Sequence, residues 1–157
     1  MFFEKLNNMF FEKNFATKEQ MERLNKLFYF PGNIIICDYN LTSDSGDQMH
    51  SQYAITADAP SEILDKCNKV YQSADLNEIL GELPDTICVD YGNGEFKHYY
   101  ASIKHYNPMI SYSTADDTDV LMNFTGKTLI DAAVDAIEWI NVKRNGDFYI
   151  KIEDVKQ

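Results

Sequence analysis

Three features of this sequence predict an α+β fold, with a largely antiparallel sheet and helices packed on one face of a single domain. Apolar β-branched runs such as Ile34-Ile35-Ile36 are short and follow one another as hairpin-like neighbours. Helical spacing with capping residues is confined to a few stretches, clearest over 128–144. The chain has 157 residues, 45% of them apolar, with ten Phe and ten Tyr. That length suits one domain burying roughly 68–70% of its unfolded surface, and the composition is that of a folded chain.

The opening stretch, "MFFEKLNNMFFEKNF", repeats residues 1–5 as 9–13. Phe2, Leu6 and Met9 fall at helical spacing, as do Phe3, Leu6 and Phe10, so a helix is expected over 2–13. Left in water, Phe2, Phe3, Leu6 and Phe10 would form an adhesive stripe, which predicts docking on the domain, on a second copy or on a partner. The chain therefore divides into a Phe-rich helical segment, 1–16, and an acidic α+β domain, 17–157.

Thr17 and Gln20 have the spacing of a capping box, followed by Met21, Leu24, Leu27 and Phe28 on one helical face. Pro31-Gly32 stops that helix. Strands are expected over 33–39 and 49–56, around a polar loop at 41–47. Pro60 suits a first helical turn, and a helix is predicted from 60 to about 73, with Glu62–Lys66 and Asp65–Lys69 as compensating pairs. Asp75 opens a short helix that ends before Pro84. Strands are expected over 86–91 and 95–106, joined by Gly92-Asn93-Gly94, and over 109–114 and 120–124 around an acidic loop. In the 128–144 helix Ile130, Ala133, Val134, Ile137 and Ile140 form the buried stripe. Asn145-Gly146 closes it, with Lys143 and Arg144 near the negative end of its dipole. A final alternating strand is predicted over 148–155.

No catalytic signature emerges, and a non-enzymatic protein without cofactor or metal is expected. Asp38, Asn40, Thr42 and Asp44 imitate the start of a calcium loop, but Ser43 and Met49 stand where Gly and a bidentate Glu are needed. The sequence Gly126-Lys127-Thr128 precedes a helix, yet Leu121 stands where a phosphate loop needs its first Gly. His98 and His105, seven apart in one expected strand, would point to opposite faces. Tyr99, Tyr100, Tyr106 and Tyr112 crowd the same region as sheet packing or a binding platform. Cys37, Cys67 and Cys88 are sparse and odd in number, as free thiols in a reducing compartment are. Glu4, Lys5, Glu12 and Lys13 break any apolar leader, and no run approaches the roughly 20 residues of a membrane span. A cytoplasmic location away from membranes is expected.

Charge carries most of the functional signal. The net charge is −11. Residues 31–142 hold eighteen acidic and five basic side chains, whereas both ends are slightly basic. Such a body disfavours nucleic acid as a direct ligand and favours a basic partner. Asp131, Asp135 and Glu138 form one helical stripe, Asp75, Glu78, Glu82 and Asp85 a second, and Asp116, Asp117 and Asp119 a loop cluster. Only Lys127 lies within helical reach of either stripe. Rows of unpaired carboxylates resemble backbone phosphates in spacing. They predict an inhibitor of a nuclease or other nucleic-acid-binding protein, by functional analogy with DNA-mimicking phage antidefence proteins, anti-CRISPR and anti-restriction inhibitors among them. The alternatives are an immunity protein against a basic toxin, an enzyme with an unrecognised carboxylate or histidine site, and an assembly subunit docking through its Phe-rich helix. A homodimer is left open.

Overall fold

The computed structural model describes residues 10–42, 46, 48–65 and 68–156. Helix α1 spans Lys18–Leu27 and starts with the expected capping box, the Thr17 hydroxyl accepting from Gln20 N and the Gln20 side chain accepting from Thr17 N. Strands β1 (Ile34–Thr42) and β2 (Gln48–Thr56) form an antiparallel hairpin. A helical turn, α2 (Ser61–Leu64), leads to strand β3 (Asn68–Ser73). Next come helix α3 (Leu76–Gly81) and strands β4 (Thr86–Gly92), β5 (Glu95–Lys104), β6 (Met109–Ser113) and β7 (Val120–Thr125). Helix α4 (Leu129–Arg144), strand β8 (Tyr149–Lys151) and the turn α5 (Ile152–Val155) complete the chain.

The fold is α+β, with two sheets where one was expected. A three-stranded sheet runs β2-β1-β3, and a five-stranded sheet runs β7-β6-β5-β4-β8. All pairings are antiparallel except β4 with β8. Helix α4 packs on the larger sheet, touching β6, β7 and β8, and also packs against α1 and α3. This double packing explains why its burial exceeds one stripe: Leu129, Ala132 and Ala136 are buried along with the five expected residues. Ile87, Val89, Tyr99, Ile110, Tyr112 and Ile150 supply the sheet side of the core, and Met21, Leu24 and Ile79 the helical side.

Three expectations fail for tertiary reasons. The helix predicted over 60–73 stops at Leu64, and 68–73 becomes β3. There it pairs with β1, while the Tyr71 and Ser73 hydroxyls donate to Ala16 O at 3.1 and 2.7 Å. The helical Asp65–Lys69 pair therefore does not form. The strand predicted over 148–155 ends at Lys151, because Ile152 and Val155 turn back onto the core as α5. The polar loop expected from 41 begins later, since β1 continues to Thr42. Of the helix expected over 2–13, residues 10–14 are described and helical. Phe2, Phe3 and Leu6 lie outside the described residues.

Gly32 fixes how the chain entering β1 passes the end of β3. Its φ is +76°, and a Cβ there would lie 2.0 Å from Ser73 O, so the chain leaving α1 crosses β3 at a distance only glycine allows. The adjoining backbone bond from Ala16 N to Ala74 O, 3.0 Å, ties the start of α1 to the end of β3.

Candidate acidic interface

The α4 carboxylates do not form a free row. Asp131 is the third residue of α4, and one of its oxygens accepts from Thr128 N at 3.1 Å as half of a capping box. The other accepts from Gln20 Nε2 at 2.5 Å, which locks α1 to α4. Asp135 and Glu138 are both held by Arg23 of α1. The guanidinium Nη2 lies 2.8 Å from Asp135 Oδ1, and Nε lies 3.0 Å from Glu138 Oε2. Hydrogen bonding to Arg23 holds the Glu138 carboxyl below the usual range, and both carboxylates push the Arg23 pKa up. The expectation that this stripe is unpaired apart from Lys127 is thus corrected: its counter-charge comes from Arg23, more than a hundred residues earlier in the chain. Lys127 instead sits 3.8 Å from Glu12.

The second stripe divides at α3. Asp75 is the N-cap and accepts from Glu78 N at 2.8 Å. Glu78 is half-buried, and burial, reinforced by the nearby Asp75 charge, raises its pKa. Glu82 and Asp85 are exposed, and no cation pairs with either among the described residues. The helix ends at Gly81, so these two stand on the connection into β4.

The loop between β6 and β7 is built on its own acids. Asp116 Oδ1 accepts from the Thr114 and Thr118 hydroxyls at 2.7 and 2.8 Å, and these bonds pull its pKa down to about 2. Asp117, at φ +59°, accepts from the Ser113 hydroxyl at 3.0 Å. Asp119 pairs with Lys97 at 2.8 Å and accepts from the Tyr99 hydroxyl at 3.2 Å, so its pKa is lowered, mainly by Lys97. Asp116 and Asp117 are exposed, and among the described residues no cation pairs with either. Among the described residues no three His, Cys, Asp or Glu side chains are grouped to hold a metal ion.

The other sequence features fall into place around these. Asp38, Asn40 and Thr42 belong to β1 and so are not a calcium-type loop, while Asp44 lies outside the described residues. His98 lies on β5 opposite Cys88, whereas His105 has left the strand, so the opposite-face argument does not apply to the pair. The tyrosine group splits. Tyr99 and Tyr112 are buried, the latter donating to Pro84 O at 2.7 Å, while Tyr100 and Tyr106 are exposed. At Gly126 a Cβ would sit 2.5 Å from Asp131 Cβ, so this turn is packed tightly on its own helix. Phe10 is exposed and lines a groove of about 760 Å³ with Leu76, Tyr106, Pro108 and Leu129.

Sequence reasoning missed Arg23 and Lys97, and read Gln20 as a capping residue without its bond to Asp131. Each acts on a residue 22 or more positions away, beyond any helical or strand period. The arrangement defines an acidic α+β protein with carboxylates presented at two connections rather than along two helices. Comparison with protein families, curated proteins and solved structures found no match. No helix among the described residues is long and apolar enough to cross a membrane.

Proposed function

We propose that this chain is a non-enzymatic inhibitor whose acidic surface occupies a basic, nucleic-acid-binding face of a partner protein, as DNA-mimicking phage antidefence proteins do. One observation carries the reading: Glu82, Asp85, Asp116 and Asp117 are exposed and no cation among the described residues pairs with them, within a body that concentrates the net charge of −11. Hydroxyl bonds hold Asp116 ionised far below neutral pH, so the charge is permanent. Long-range attraction then steers a basic face onto it. Capture from host lysate, followed by release with salt and with duplex DNA, tests the reading. Raising salt to about 0.5 M, where screening extends only a few ångströms, should release the partner. Duplex DNA should compete for the same face, and Glu82→Gln/Asp85→Asn/Asp116→Asn/Asp117→Asn should capture less. Capture indifferent to both salt and DNA would refute it.

A further inference from the structure

We infer that Tyr100 and Asp117 form a receptor for an arginine side chain, the guanidinium lying on the exposed ring and pairing with the carboxylate. This deepens the reading above, on which it rests only for which protein carries the arginine. Side chains alternate along β5. Tyr99 is 1% exposed and belongs to the core, so Tyr100 stands on the opposite face, where it is 48% exposed. Its cross-strand neighbours are Thr86 on β4 and Ser113 on β6. The irregularity between β6 and β7 leaves this rung intact, because the β5–β6 register runs unbroken from Lys104–Met109 to Tyr100–Ser113. Directly opposed residues have Cβ atoms roughly 4.5–5.5 Å apart. Ser113 therefore stands beside Tyr100, and its hydroxyl donates to Asp117 Oδ1 at 3.0 Å. A backbone bond from Asp117 N to Thr114 O, 2.9 Å, and a φ of +59° at Asp117 turn the loop back toward β6. Among the described residues no other side-chain bond reaches the Asp117 carboxylate, and no cation pairs with it.

A ring beside a carboxylate asks for a ligand that is both flat and cationic. A guanidinium is planar and weakly hydrated, stacks on aromatic faces and donates to a carboxylate through N–H groups in a fixed fork. A ring attracts a cation placed within about 6 Å of its centroid. The lysine ammonium is compact and strongly hydrated, so it gains less from the ring. A second ring and acid on the same face show the contrast. Phe96 is 50% exposed and has Asp90 as its cross-strand neighbour. Lys151 stands on the other side of Asp90, Asp90 Oδ1 accepts from Gly92 N at 2.8 Å, and the Phe96 ring already meets Tyr149 edge-on. Asp119, in the same loop as Asp117, is answered by Lys97 at 2.8 Å. Tyr100 with Asp117 is the pair that keeps both its ring and its charge for a cation from outside.

Titration of the full chain with hexa-arginine and with hexa-lysine at low salt, followed by NMR, tests this, since the two peptides carry equal charge. Both should bind weakly through the acidic body, hexa-arginine about two- to five-fold more tightly, which is the increment of one exposed cation–π contact. Hexa-arginine should move the Tyr100 ring and Asp117 amide resonances. Tyr100→Leu, at an exposed position, should bring the two affinities together, chiefly by weakening hexa-arginine. Tyr100→Phe keeps the ring and should keep the preference, and so should Phe96→Leu. Asp117→Asn should weaken hexa-arginine more than hexa-lysine. Equal affinities in the wild-type protein would overturn the inference, and so would a preference that survives Tyr100→Leu. Either result would leave the inhibitor reading standing, because that reading falls separately, on capture indifferent to salt and DNA.

Discussion

Replacing Arg23 by Ala removes the guanidinium that is hydrogen-bonded to two α4 carboxylates. The side chains of Arg23, Asp135 and Glu138 are 38%, 48% and 42% exposed, so water screens the interaction. Exposed pairs of this kind contribute about 0.2–1 kcal/mol each. The variant also leaves Asp135 and Glu138 facing each other one helical turn apart, which costs about 0.2–0.5 kcal/mol. The expected loss is about 0.6–2.5 kcal/mol, and at about 2–4 °C per kcal/mol for a domain of this size the melting temperature should fall by several degrees. The pH dependence separates this from lost packing. The Glu138 pKa is lowered by Arg23, so its contribution is present at neutral pH and is lost as pH falls through that lowered value. The gap between wild type and Arg23→Ala should accordingly narrow in acid. Thermal melts at pH 7 and near pH 3, with Glu138→Gln completing a double-mutant cycle, provide the measurement. An equal gap at both pH values together with no coupling in the cycle would refute the electrostatic account.

Three further outcomes are expected. Gly32→Ala should cost more than about 2 kcal/mol in urea unfolding, since it combines a positive φ with a clash against Ser73 O. Gly94→Ala has the same sign of φ, +78°, but open space around it, and should cost only about 1 kcal/mol. Tyr112→Phe should destabilise by about 1–2 kcal/mol, because the buried ring loses its bond to Pro84 O. The Asp116 carboxyl is depressed to about 2, so it stabilises the loop above the ordinary aspartate range and loses that effect as pH falls through 2. In Asp116→Asn the acid limb of the stability profile should flatten, which a pH series of melts would reveal.

The readable parts of the fold were those with short-range causes. Thr17 with Gln20, and Thr128 opening α4, are local hydrogen-bond arrangements, and both helices start where the sequence says. The turn at Gly92-Asn93-Gly94 and the left-handed Asn145 closing α4 are equally local. Residues 68–73 show the opposite case. Asn-Lys-Val-Tyr-Gln-Ser is acceptable to helix or strand, and the free side of β1 decides, an influence from thirty or more residues away. The division into two sheets was illegible for the same reason, since nothing local says which strands are partners. At the candidate site, the identity of the acids could be read but not their neighbours. Arg23 looks like one more solvent-facing charge on α1 until α1 is laid against α4.

The acids that folding absorbs differ in kind from those it leaves free, and chemistry explains the difference. Aspartate has a short side chain that reaches backbone N–H groups one turn away, so it is favoured at helix starts and in tight turns. Asp75 and Asp131 are used in this way, and Asp116 similarly serves its own turn. These bonds consume acceptor sites without removing charge, and at Asp116 they hold the ionised form more firmly. A carboxylate in a cap therefore adds to the field around the protein but has little left to offer a partner's donors. Field and contact come apart as a result. Every acid in the −11 body contributes to attraction at a distance. Direct pairing with lysine or arginine falls to exposed groups with acceptor sites to spare, foremost Glu82 and Asp85. Neutralising Asp75 or Asp131 should then slow association and lower stability together, whereas neutralising Glu82 and Asp85 should speed dissociation at unchanged stability. Matched association rates, dissociation rates and melting temperatures for the two pairs of variants would defeat that separation of roles.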